Sequence, residues 1–102
     1  MTITVNAKSQ PTQLRIEGEF NIYSAADSKQ QLMDALNEHA ALTVELDAVE
    51  EIDTTGVQLL LWLKREAERL NKPLTLTGAS PAVQEVITLL NLAELSAQEN
   101  AA

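Results

Sequence analysis

Four short segments alternate apolar with polar residues, and this alternation limits the fold more than any other feature. Ile3 and Val5 lie between threonines, and Leu14 and Ile16 lie among Gln13, Arg15 and Glu17. Leu42, Val44 and Leu46 enclose Thr43 and Glu45, and Leu74 and Leu76 alternate with Thr75 and Thr77. A period of two marks a strand with one buried face. None of the four is a continuous apolar run, as the strands of a sheet covered on both faces would be. One sheet is expected, with helices on one face and a more polar opposite face.

Three further segments carry helical period. Ser24-Ala25-Ala26-Asp27 resembles a capping box with Asp in place of Glu, after which Leu32, Leu36 and Ala40 share a face. Val57, Leu60, Leu61, Leu63, Ala67 and Leu70 form a broad apolar stripe ending before Asn71. Ser80-Pro81 is a cap followed by proline at the first helical position. Val83, Val86, Ile87 and Leu90 then mark a buried face. The predicted order is β-β-α-β-α-β-α, an α/β domain with a mixed sheet. The short polar connection containing Pro11 implies an antiparallel first pair. Strands separated by helices are parallel, through right-handed crossovers. Residues 1–95 read as one domain, and the small, polar residues 96–102 read as a frayed tail.

Charge and composition exclude several function classes. The net charge of −8 opposes binding to phosphate backbones and anionic lipid, so no nucleic acid is expected as a partner. Lys64, Arg65 and Arg69 share a helical segment, but Glu66 and Glu68 interleave with them. Without cysteine there are no disulfides and no thiolate chemistry, which fits a reducing compartment. The N-terminus shows no secretory signal, and the longest apolar stretch, Leu59 to Leu63, is too short for direct membrane insertion. The expected location is the cytoplasm. His39 has no second histidine or cysteine beside which to hold zinc, so no metal is expected. Gly18, Gly56 and Gly78 are isolated and form no phosphate-binding loop. With no catalytic set visible, the sequence predicts a protein that is not an enzyme and needs no cofactor.

In open α/β sheets, sites gather beyond the carboxyl ends of parallel strands. Two segments arrive there: Gly18-Glu19-Phe20-Asn21, after the second strand, and Glu50 through Gly56, after the third. Asp53-Thr54-Thr55-Gly56 opens the second helix, where amides and the helix dipole favour an anion. Capping by a threonine is the simpler reading of that turn alone. A phosphate on Thr54 would instead add roughly two negative charges beside Glu50, Glu51 and Asp53, a sharp change of surface potential. Another protein would have to supply that chemistry. Glu50 and Glu51 read as solvated loop charges, or as a selector for a basic partner. Trp62 is expected to pack partly buried. Tyr23, after the first loop, is expected to pack, with a partner contact at the rim of the site as the alternative.

Three stretches, in order, carry a family likeness. They are Leu14-Arg15-Ile16-Glu17-Gly18-Glu19-Phe20-Asn21, Leu46-Asp47 through Ile52-Asp53-Thr54-Thr55-Gly56-Val57, and Leu76-Thr77-Gly78-Ala79-Ser80-Pro81-Ala82-Val83. Together they resemble the STAS domain of bacterial anti-sigma factor antagonists. The likeness implies that Thr54 accepts phosphate, with Thr55 the alternative, from a serine/threonine kinase that is also the anti-sigma factor. The unphosphorylated form would bind that kinase and the phosphorylated form would release it. The implied contact surface is Gly18, Glu19, Asn21, Tyr23, Asp53, Thr54, Thr55, Gly56 and Val57. The chain differs from the family pattern in having threonine for the usual acceptor serine, and Asn21 where aspartate is frequent. STAS domains also serve as adaptors to the ATPase subunit of lipid-trafficking ABC transporters, and as scaffolds in chemotaxis or two-component pathways. Both alternatives remain open on the sequence.

Overall fold

In the computed structural model, which describes residues 2–8 and 10–89, seven elements follow the expected order. They are β1 (Thr2–Asn6), β2 (Thr12–Phe20), α1 (Ala25–Glu38), β3 (Leu42–Ile52), α2 (Thr54–Arg69), β4 (Leu74–Thr77) and α3 (Pro81–Leu89). The sheet order is β1-β2-β3-β4, with β1 antiparallel to β2 and the other two pairs parallel. Register aligns Leu14 with Val44 and Val44 with Leu76, so one face collects the buried side chains. On the other face Gln13, Arg15, Thr43, Glu45, Thr75 and Thr77 stay partly exposed. There Arg15 pairs with Glu17 and Asp47 at 3.3 and 3.2 Å, exposed contacts of small energetic weight.

Two register shifts extend β3 beyond the reach of simple alternation. Arg15 pairs with Glu45 but Glu17 with Ala48, and Gly18 pairs with Val49 but Glu19 with Glu51. Each shift places one extra residue in β3, a β-bulge that resets which side chains face inward. The inward series is therefore Val44, Leu46 and Val49, all buried, rather than a strict period of two. Gly18 sits between the shifts at φ 91°, a conformation open to glycine and strained for other residues. As a result Gly18 and Glu19 belong to β2, and Glu50 and Glu51 to β3, where loops were expected.

Other expectations shift at element ends. Ser24 precedes α1 but makes no side-chain cap, because its backbone is already helical at φ −102°, ψ −3°. Its hydroxyl turns back onto the preceding turn instead, so no capping box forms. α1 ends at Glu38, leaving Ala40 outside it and exposed; His39 is the half-buried residue after the helix. Val5, on an edge strand, is 45% exposed. Leu59 joins the buried face of α2, while Leu61 and Leu70 are half-buried. Leu90 and residues 96–102 lie outside the described residues.

α2 stops as its sequence implies. Asn71 takes the left-handed conformation at φ 55°. Lys72 N donates to Ala67 O at 2.9 Å and Asn71 N to Glu68 O at 3.1 Å, the paired bonds of a Schellman ending. The Lys72 ammonium then crosses to α1, donating to Leu36 O at 2.6 Å and Asn37 O at 3.2 Å. One lysine thus satisfies terminal carbonyls of α1 from the end of α2. α3 opens as expected, with Val83 N donating to Ser80 Oγ at 3.3 Å. α1 packs on α2, and α3 on β3.

Candidate functional site

β2 and β3 run parallel and are paired as far as Phe20 and Ile52, so their carboxyl ends share one edge of the sheet. Asp53 binds the two following segments together. It is the N-cap of α2, in extended conformation at φ −109°, ψ −175°. One carboxylate oxygen accepts from Gly56 N at 3.0 Å and the other from Ile22 N at 3.0 Å. The Asp53 amide donates to Phe20 O at 3.3 Å. A single carboxylate therefore caps α2 and holds the β2–α1 turn against it.

Gly56 allows this closeness. A Cβ there would lie 2.5 Å from Phe20 O and 2.9 Å from Ile52 Cγ1. Only a residue without a side chain lets α2 start this near the end of β2. The turn itself is held at several points. Asn21 Oδ1 accepts from Tyr23 N at 3.0 Å, and Ser24 N donates to Asn21 O at 3.1 Å. Ser24 Oγ accepts from Asn21 N at 3.2 Å and donates to Asn21 O at 3.0 Å. The Asn21 carboxamide is thus engaged within its own turn.

The structure brings Gly18–Asn21 and Asp53–Gly56 together, with their side chains at different depths. Glu19, Tyr23 and Thr54 are exposed; Gly18, Asn21, Asp53 and Thr55 are half-buried. Gly56 is buried, and Val57, 3% exposed, packs in the core. These two shape the edge from beneath. Because Asp53 supplies the cap, neither threonine does. Tyr23 does not pack: it is 95% exposed, with Ile22 beside it 63% exposed. The turn bonds fix the backbone of both residues while their side chains project outward. Trp62 is half-buried, with the Lys29 ammonium 5.1 Å from its ring centroid.

The edge includes residues that the sequence did not single out. A shallow concavity of about 460 Å³ is lined by Asn21, Tyr23, Glu50, Glu51, Ile52, Asp53, Ala82, Glu85 and Val86. The last three come from α3, which packs on β3. Four of the nine are carboxylates and none is a cation. Glu85 was missed because its neighbours Val86 and Ile87 mark only the inner face of α3. Among the described residues, no group of three or more histidine, aspartate or glutamate side chains is arranged to hold a metal ion, and no helix is long and apolar enough to cross a membrane.

A family model described as Mlab, STAS domain, matches residues 3–97. The chain belongs to the STAS domain family. Solved structures agree on the fold. The anti-sigma factor antagonist SpoIIAA matches in its unphosphorylated form at TM-score 0.73 and 19% identity, over 98% of this chain and 92% of that one. The phosphorylated form of this Bacillus protein matches at 0.70 and 18%, over 98% and 96%. An anti-sigma factor antagonist from Mycobacterium paratuberculosis matches at 0.75 and 21%, over 91% and 80%. A variant of Moorella thermoacetica RsbS matches at 0.72 and 24%, over 95% and 84%. A comparison with curated proteins gives no match. This STAS domain therefore shares its architecture with anti-sigma factor antagonists, at identities that speak for the fold alone.

Proposed function

We propose that this STAS domain is a signalling module that binds a serine/threonine kinase through the Asp53–Gly56 edge and is switched by phosphorylation of Thr54. The observation that carries the reading is the division of labour in the turn. Asp53 performs the capping, so the exposed hydroxyl of Thr54 has no structural duty there. Thr55, half-buried, is the less accessible of the two. A phosphate on Thr54 would stand at the first residue of α2, where the helix dipole favours an anion. It would also add roughly two negative charges directly after Glu50, Glu51 and Asp53 in the chain, so the potential seen by a partner would change sharply. SpoIIAA, which shares the fold, exists in unphosphorylated and phosphorylated forms.

The test is incubation of the whole chain with a cognate kinase and ATP, read by intact mass and by mapping the modified residue. One phosphate on Thr54, abolished by Thr54→Ala, is the expected result. Phosphate found only elsewhere, or none, would refute the reading. A second reading is suggested by the family model, described as Mlab, STAS domain. On that reading the same edge meets the ATPase subunit of a lipid-trafficking ABC transporter without phosphorylation. In either case the domain acts by binding and resides in the cytoplasm.

A further inference from the structure

We infer that the partner presents arginine or lysine side chains beside a small apolar spot, the cations entering the concavity under Tyr23 and the apolar spot covering Ile22 and Tyr23. This rests on the reading of the same edge as a partner-binding surface, and adds the chemistry of the partner. Two independent features support it. The first is apolar. A tyrosine that is 95% exposed beside an isoleucine that is 63% exposed forms a projecting pair, on a turn fixed by the Asn21, Ser24 and Asp53 bonds. Little backbone freedom is lost when a partner covers such a pair, and tyrosine is enriched among residues that dominate interface energy.

The second feature is charge. Glu50 and Glu51 come from β3, Asp53 from the cap of α2 and Glu85 from α3, yet they converge on one concavity without a lining cation. Three of the seven lysines and arginines are engaged away from it. Arg15 pairs with Glu17 and Asp47 on the open sheet face, Arg69 with Glu66, and Lys72 reaches the end of α1. Four carboxylates with no cation among the lining residues leave the edge negative and suited to cations from outside the molecule. A second copy of this chain is a poor occupant. A two-fold contact would bring the concavity against itself, in a chain of net charge −8. A cationic partner surface satisfies both features, and electrostatic complementarity would steer its approach and select its orientation.

The inference can be tested without the kinase and without phosphorylation, so its outcome is independent of Thr54. The ¹⁵N-labelled chain is titrated with a short amidated peptide bearing three arginines around one leucine, and with the same peptide carrying glutamine for arginine. The expected shifts centre on Ile22, Tyr23, Glu51 and Glu85, weaken as salt rises, and vanish with the glutamine peptide. Glu51→Gln with Glu85→Gln should weaken binding roughly tenfold, in line with rim charges that are few but concerted. Asp34→Asn with Glu38→Gln removes the same charge from α1, away from this edge, and should change the affinity less than about twofold. Tyr23→Ala tests the apolar half and should also weaken binding, with an unchanged far-UV spectrum because its side chain packs on nothing. Shifts spread evenly over the surface, or equal losses in the two charge pairs, would overturn the inference. A phosphate absent from Thr54 alongside localised peptide shifts would refute the switch and leave this surface standing.

Discussion

Replacing Gly56 by alanine should destabilise the domain. The new methyl carbon would lie 2.5 Å from Phe20 O and 2.9 Å from Ile52 Cγ1. The isoleucine can turn aside, but the carbonyl belongs to the last residue of β2 and also accepts from Asp53 N. Relief therefore requires α2 to move away from the strand end or the strand end to bend. Overpacking of this kind costs about 1–3 kcal/mol, and a clash with backbone belongs at the upper end. Alanine regains up to ~1 kcal/mol of helix propensity, less in the first turn. The expected net loss is ~2 kcal/mol, a fall in melting temperature of about 8–16 °C for a domain of this size. Urea unfolding followed by far-UV circular dichroism and by Trp62 fluorescence measures it, and coincident curves would show a single cooperative transition. A Gly56→Ala variant as stable as the parent, or more so, would refute the close approach of α2 to β2.

Asp53→Ala removes both the cap and the bond to Ile22 N, and should cost ~2 kcal/mol. Asp53→Asn keeps one carbonyl acceptor and should cost about half as much; hydrogen exchange at Ile22 reads the loss of that bond directly. Lys72→Met uncovers Leu36 O and Asn37 O, and should cost about 0.5–1.5 kcal/mol, with faster exchange confined to the last turn of α1. The hydrogen bond from Arg69, followed by its charge and that of Lys29, holds the Glu66 carboxyl below its ordinary value. A lowered folded value means that the contribution is present above the unfolded value and lost as pH falls through the folded one. A carboxyl-detected titration should show Glu66 ionising early, and Arg69→Gln should return it towards the ordinary range.

The fold was legible where side chains obey one period. Leu14, Ile16, Leu42, Val44 and Leu46 alternate as buried strand residues should, and all are buried. Asn71 and Ser80 announce a helix end and a helix start by local chemistry, and both perform as such. The last residues of β2 and β3 were not legible as strand, because two bulges keep Val49 and Phe20 inward where alternation fails. That failure is why Glu50 and Glu51 looked like loop residues. Ser24 misled because a serine before a helix caps it only from an extended backbone, and the Asn21 turn makes this one helical. Tyr23 misled because an aromatic residue is ordinarily worth burying, and no sequence pattern tells that its turn projects it outward. Glu85 reaches the edge only through packing of α3 on β3, a tertiary fact with no local trace.

The central claim is that the Asp53–Gly56 edge binds a kinase and lets go when Thr54 carries phosphate. Capture of the tagged full chain from its own cells, with partner identification and intact mass of the bait in each fraction, tests this most directly. The account predicts a serine/threonine kinase with the unmodified bait, and bait phosphorylated on Thr54 without that kinase. A transporter ATPase subunit held by bait that never carries phosphate would contradict it.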